Sequence, residues 1–213
     1  MTPPAIRTQI LTPDHLAPWL AFFDGPAFAD NPEWGGCYCR CFLMGVAPEP
    51  AGAEALWDSA CATGENRAAM AAEIAAGNVD GVLAFSGDTV VGWLHMGPVA
   101  RFCAAWGPSF ASAPGDRQPV AAADQAALVC FLVAAEHRRQ GVGTAMLRAA
   151  LHTLAQRGFR SVVAKAAGDA EGSAAHQFTG PLALFEAHDF QVIRAHPHRP
   201  LVWRALEATE GGA

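Results

Sequence analysis

The sequence predicts a single α/β domain, with a mixed central sheet flanked by helices, an N-terminal extension and loop insertions. Three observations carry this expectation. Strand-like and helix-like segments alternate over residues 66–206. One apolar run, residues 126–134, passes directly into a glycine-bearing turn and then an amphipathic stretch. Finally, 213 residues, 52% hydrophobic and 16% charged, suffice for one substantial core.

Taken in order, the Ala-rich stretch RAAMAAEIAAG reads as a helix: Asn66 stands as its cap, Met70 and Ile74 follow at helical spacing, and Gly77 ends it. In GVLAFSGDTVVGWLHMGP, residues 82–85 and 90–94 are strand-like runs around a turn at Ser86, Gly87 and Asp88, hence a hairpin. Residues 98–124 are turn-rich and predict a long loop over the functional site. The run 126–134, rich in Leu, Val, Cys and Phe, is short enough for a strand buried on both faces. A helix is predicted from about Gly143 to Arg157, because Leu147, Leu151 and Leu154 share a face and Gly158 stands at the C-cap. Residues 160–166 form a strand. Beyond a Gly-rich loop, residues 181–188 make a short helix with Pro181 in its first turn, and residues 191–195 and 201–206 supply two last strands.

Composition removes several classes of partner. With 20 acidic and 14 basic residues and a net charge of −6, no basic field is available for nucleic acid. The start lacks a basic stretch followed by an apolar region, and no window of about 18 apolar residues occurs, so a cytoplasmic protein without membrane spans is expected. Cys37, Cys39, Cys41, Cys61, Cys103 and Cys130 give no disulfide framework.

The chemistry concentrates in A-E-H-R-R-Q-G-V-G-T, between the buried strand and the long helix. Its glycines permit close approach, its amides precede a helix N-terminus, and Arg138 and Arg139 add charge, which together make an anion cradle. The plainer reading is a strand-to-helix turn with a solvated arginine pair. A P-loop is excluded because Gly143, not lysine, precedes Thr144, and a dinucleotide fingerprint because Met146 replaces its further glycine.

Arg138, Gly141 and Gly143 resemble the R/Q-x-x-G-x-G/A signature of the GCN5-related N-acetyltransferases, and the element order over residues 66–206 matches that fold. The segments WGGCYCRCFL, ENRAAM and HQFTGPLALFEAHDF resemble a bacterial branch to which no substrate transfers. The resemblance implies that Arg138, Arg139, Gln140, Gly141, Val142, Gly143 and Thr144 hold the pyrophosphate of acetyl-CoA. It further implies that Cys130, Phe131, Leu132 and Val133 lie along the pantetheine arm, with one amide aimed at the thioester oxygen, an effect worth about 3–4 kcal/mol. Residues 1–213 then form one acetyltransferase domain, residues 1–62 contributing to the acceptor pocket and residues 66–207 carrying the acetyl-CoA site. A small-molecule amine or a peptide N-terminus is the implied acceptor, reached by direct attack without a metal; homodimers are common in the family.

The catalytic groups are less regular. Where many relatives have a tyrosine acid, counting back from Phe190 gives Phe185, and Phe178 replaces a frequent asparagine. Tyr38 is the only tyrosine in the chain, so it is the candidate phenol acid, brought from the N-terminal segment, against the alternative of a pocket wall. His95, near a strand end, is the candidate base. Glu33, Trp34 and Cys37 are candidates for the acceptor pocket, while His137 and Glu136 read as structural or CoA-contacting. Extended geometry would put Cys37, Cys39 and Cys41 on one face of a strand and Tyr38, Arg40 and Phe42 on the other. That spacing does not suit zinc; pocket wall, buried small residues, reactive thiols and metal ligands all remain open. Two rival functions follow: an acyl-CoA sensor without turnover, motivated by the missing tyrosine, and a thiol or metal protein using the cysteine cluster.

Overall fold

A computed structural model describes residues 5–43, 64–102, 122–168 and 177–207. Within them run β1 (Ile6–Ile10), α1 (Leu16–Phe23), α2 (Glu65–Ala75), β2 (Gly81–Ser86), β3 (Thr89–Pro98) and β4 (Gln125–Val133). These are followed by α3 (Val142–Gln156), β5 (Ser161–Lys165), α4 (Leu182–Glu186), β6 (Gln191–Arg194) and β7 (Leu201–Ala205). The strands make one seven-stranded sheet in the order β1-β2-β3-β4-β5-β7-β6. Only β4 and β5 are parallel, and the crossover between them is α3. Most of the loop expected over residues 98–124, the Gly-rich loop ahead of Pro181, Cys61 and Cys103 lie outside the described residues.

The N-terminal segment joins the sheet. β1 pairs antiparallel with β2, from Ile6 opposite Ser86 to Ile10 opposite Val82, and closes one sheet edge. Residue Asn66 is not the cap of α2, whose N-cap is Gly64. Instead Asn66 is buried, its Nδ2 donating to Gly36 O at 2.9 Å and its Oδ1 accepting from Arg40 Nη1 at 3.2 Å, so it fastens the N-terminal segment to the helix. A buried amide must find such partners, since leaving them unmade costs about 1–3 kcal/mol each.

The α3 helix buries Val142, Met146, Leu147, Ala150, Leu151 and Leu154, the stripe expected of an amphipathic helix, on one sheet face together with Phe185 and Phe190. The opposite face carries Trp19, Phe22, Phe42, Met70, Trp93 and Phe102. Gly92 lets β3 approach α3, because a Cβ there would stand 3.0 Å from Val142 Cγ1. Pro181 is the N-cap of α4 rather than part of its first turn. No helix among the described residues is long and apolar enough to cross a membrane.

One irregularity sets the geometry of the site. In the β3–β4 ladder, Cys130 opposes His95 while Leu128 opposes Met96, so Val129 is an extra residue on β4. Such a bulge bends the strand and reverses the phase of its side chains. Ala127 and Val129 accordingly belong to the Trp93 face, and so do Cys130 and Leu132 beyond the bulge, whereas Leu128 and Phe131 face α3.

Candidate active site

At the bulge, β4 also leaves β5: the last parallel pair is Leu128 with Ala164. Beyond it the Phe131 amide donates to Phe178 O, from the segment leading into α4. Because Ala134 N donates to Val91 O on β3, alternation along the strand turns the Val133 amide, like that of Phe131, into the split.

The turn after β4 builds the cradle. Ala135–His137 is one short helical turn; Arg139 (φ 59°) and Gly141 (φ 80°) are left-handed and redirect the chain into α3. No side chain caps α3, and its first backbone bond runs from Ala145 N to Gly141 O at 2.9 Å. The amides of Val142, Gly143 and Thr144 therefore have no acceptor inside the helix and sit at its positive end. At Gly143 an added Cβ would meet Leu184 Cδ2, on the opposite wall, at 3.5 Å, an ordinary contact, so only a larger side chain would fill the gap between the walls. Phe131, Leu132, Val133, Arg138, Arg139, Gly141, Val142, Gly143 and Thr144 all line one cleft of about 1070 Å³ including its mouth. His137, Gln177, Phe178, Pro181 and Leu184 line it as well.

Two expected residues, Gln140 and Cys130, do not line this cleft, and a third, Arg138, lines it while paired with a neighbour. The Arg138 guanidinium is held by both carboxylate oxygens of Asp30, and its Nε donates to Val133 O at 3.0 Å. Its charge is thus committed to Asp30, whose carboxyl it holds below the usual range chiefly through that hydrogen bond. Gln140 donates to Glu136 O at 2.7 Å and braces the turn from outside. Cys130, shifted by the bulge, faces a different cavity.

That second cavity is a small apolar chamber of about 20 Å³, room for about one water, walled by Phe28, Trp34, Cys37, Cys39, Phe42, Cys130, Leu132 and Phe178. It shares Leu132 and Phe178 with the cleft. Trp34 meets Phe178 edge-on at 5.3 Å, and the Arg199 guanidinium lies 5.0 Å from the centroid of the same ring. The C-x-C-x-C segment is not an extended strand: Tyr38 (φ 45°) and Cys39 (φ 54°) coil it into a turn that continues as a short helix at Arg40–Leu43. The sulfurs consequently separate into pairs, Cys39 with Cys130 at 3.0 Å and Cys37 with Cys41 at 3.5 Å, all as thiols. Among the described residues no group of His, Cys, Asp or Glu is arranged to hold a metal ion.

Neither catalytic candidate reaches these cavities. His95 is 1% exposed, with the rings of Phe102, Trp93 and Phe42 at 5.1, 5.6 and 6.4 Å. Burial, with Arg101 adding to it, pushes its pKa down to about 3. It is a neutral core residue and not a base positioned on an acceptor. The hydroxyl of Tyr38 donates to Asp24 Oδ1 at 2.7 Å, and its ring stacks on Phe23. Asp24 also accepts two hydrogen bonds from Arg67, at 2.9 and 2.7 Å. The phenol, whose pKa is raised first by burial and then by Asp24, is directed away from the cleft. Glu33 is exposed and lines neither cavity. Trp34 and Cys37 both line the chamber. Phe28, Cys39, Phe42 and Leu184 had no distinguishing signal in the sequence; they are apolar residues that tertiary packing assigns to walls.

A sequence profile of the acetyltransferase (GNAT) family matches residues 50–179. No curated protein matches the chain in sequence. Among solved structures, the PaiA N-acetyltransferase of Thermoplasma acidophilum in complex with coenzyme A aligns with a TM-score of 0.53 at 12% identity, over 94% of this chain and 99% of that one. An N-acetyltransferase of Staphylococcus aureus Mu50 gives 0.52 at 14%, over 95% and 99%. A GCN5-related N-acetyltransferase of Kribbella flavida gives 0.50 at 19%, over 95% and 98%. At such identities the structures speak for the fold, and the profile, spanning more than half of the chain, speaks for descent: the protein belongs to the acetyltransferase (GNAT) family.

Proposed function

We propose that this acetyltransferase uses acetyl-CoA as donor and transfers the acetyl group to an amine by direct attack. The observation that carries the reading is the run of unpaired amides at Val142, Gly143 and Thr144, opening on a cleft that continues along β4. Those amides and Arg139 would hold the pyrophosphate, and the aliphatic walls of Leu132, Val133, Pro181 and Leu184 suit the pantetheine arm. The bound donor supplies an activated thioester. The Val133 amide, turned into the split, is placed to donate to the oxyanion formed when the amine adds to the carbonyl carbon. As the C–N bond forms, the C–S bond breaks with its electron pair left on sulfur, and the proton lost by nitrogen balances the one taken up by the thiolate.

Proton transfer falls to solvent. Phe185 is fully buried against Phe131 and Phe190, Tyr38 is committed to Asp24, and no carboxylate lines either cavity among the described residues. An amine of pKa near 10 is free in only about one molecule in a thousand at neutral pH. The rate at low amine concentration should accordingly rise about tenfold per pH unit until the amine is deprotonated. Release of CoA thiol from acetyl-CoA over a library of amines tests the proposal. Tight acetyl-CoA binding with no thiol release from any amine would instead make the protein a sensor of acyl-CoA.

A further inference from the structure

We infer that Phe178 closes the inner end of the cleft and restricts the donor to the acetyl group, excluding longer acyl chains. This rests on the transferase reading above and names the residue that selects its acyl-CoA. With the pyrophosphate at the first turn of α3 and the arm along β4, the acyl group comes last, where the lining passes from Val133 to Leu132 and Phe178. Those two residues also wall the chamber, so a chain extending past the thioester meets the partition between the cavities. Behind it the chamber holds about 20 Å³, room for one water and not for a row of methylenes. An acyl chain turned outward instead would lie in the path of the amine, because the closed end admits none.

A wall sets a limit only if it stays in place, and Phe178 is held from several sides. Its carbonyl accepts from the Phe131 amide on β4. Its ring meets Trp34 edge-on at 5.3 Å and lies 5.0 Å from the Arg199 guanidinium, which attracts the ring's electrons. Arg199 also donates to Oγ1 of the buried Thr179 at 3.2 Å, so one side chain grips two successive residues. Gly180 (φ 89°) turns the segment: its amide donates to Gln177 O at 2.8 Å, and its carbonyl accepts from Ala167 N, just past β5, at 2.7 Å. A Cβ at Gly180 would come within 2.9 Å of the Phe185 ring and 3.2 Å of Phe131. Glycine therefore lets the segment lie this deep. Residues 177–180 are thus bonded to the β4 side and the β5 side at once, across the split that opens after Leu128 and Ala164. Forcing further carbons against a wall packed in this way costs more than their burial returns.

The test measures calorimetric binding of CoA, acetyl-CoA, butyryl-CoA and isovaleryl-CoA to the wild type, Phe178→Ala and Phe178→Leu, alongside thiol release over a library of amines. The wild type should bind acetyl-CoA at least tenfold more tightly than either longer ester. Phe178→Ala joins the cleft to the chamber and should raise the affinity for butyryl-CoA relative to acetyl-CoA at least tenfold, with affinity for CoA itself within threefold. Phe178→Leu, a milder change, should move the same ratio severalfold. Both variants keep the backbone bond to Phe131, and binding of CoA reports that they are folded. Equal affinity of the wild type for acetyl-CoA and butyryl-CoA would overturn the inference, as would an unchanged ratio in a variant that still binds CoA. Selective binding of acetyl-CoA with no thiol release from any amine would overturn the transferase reading and leave this one standing. Failure of every CoA ester to bind would overturn both.

Discussion

The two cavities that meet at Leu132 and Phe178 are made by opposite means. The cleft is a backbone site: its amides come from the first turn of α3, and the left-handed turn at Gly141 aims them. The chamber is a side-chain site, walled by five rings or branched chains and three thiols drawn from the N-terminal segment, β4 and the segment before α4. A backbone site recognises a charge distribution common to every CoA ester, whereas a side-chain site recognises shape and dryness and so varies with each wall residue. A replacement of one wall residue should therefore alter the chamber more than the cleft.

The largest effect should come from the floor behind the chamber. His95→Ala removes a buried ring from among Phe42, Trp93 and Phe102 and should cost about 2–4 kcal/mol of stability by urea unfolding. The native ring, with a pKa of about 3 against an ordinary 6.5, stays neutral while the unfolded chain takes up a proton. Its contribution is therefore complete above pH 6.5 and declines as pH falls toward 3, by up to about 1.4 kcal/mol per pH unit. The gap between wild type and variant should narrow on acidification. A pH-rate profile that loses its slope in a folded His95 variant would return this residue to the chemistry.

Next is the cleft. Gly143→Phe should weaken acetyl-CoA at least tenfold by calorimetry, because the ring fills the space before Leu184, with thermal stability nearly unchanged. Equal affinity in the folded variant would remove the pyrophosphate from this turn.

The cradle was legible in the sequence because every requirement is local: a signature of six positions fixes where glycine, amide and helix start must fall. The long helix was legible for the same reason, through Leu147, Leu151 and Leu154. The chamber was not. Its phase depends on the bulge at Val129, which is an agreement between two strands about register and leaves no mark in an apolar run. Reading Cys37, Cys39 and Cys41 as extended failed because left-handed turns at Tyr38 and Cys39 are imposed by Asp24, Phe23 and the core rather than by local preference. β1 and α1 escaped notice as well; Ile-Arg-Thr-Gln-Ile alternates too weakly to announce an edge strand.

A smaller effect separates the two uses of an arginine beside the cleft. Arg138→Ala should lower stability by about 1 kcal/mol, since the ion pair with Asp30 is partly exposed, while acetyl-CoA affinity changes less than threefold. The carboxyl of Asp30 is held below its ordinary 3.8, so this contribution is complete above that pH and is lost as pH falls through the depressed value. A tenfold loss of affinity at unchanged stability would assign Arg138 to the phosphates instead. Smallest of all, Tyr38→Phe gives up one hydrogen bond to Asp24 and should cost under about 1 kcal/mol, with kcat within about a factor of two. A hundredfold drop in kcat at unchanged acetyl-CoA affinity would make the phenol the acid after all.

The partition formed by Leu132 and Phe178 has a consequence for how such an enzyme diversifies. Trp34 and Phe42 wall the chamber alone, so a change at either leaves the lining of the cleft untouched. Any change at Phe178 alters both cavities at once, and the Phe131 amide holds that residue's carbonyl against β4. Substitutions should therefore be absorbed along the outer wall, while the partition changes rarely and only alongside compensating replacements on both sides.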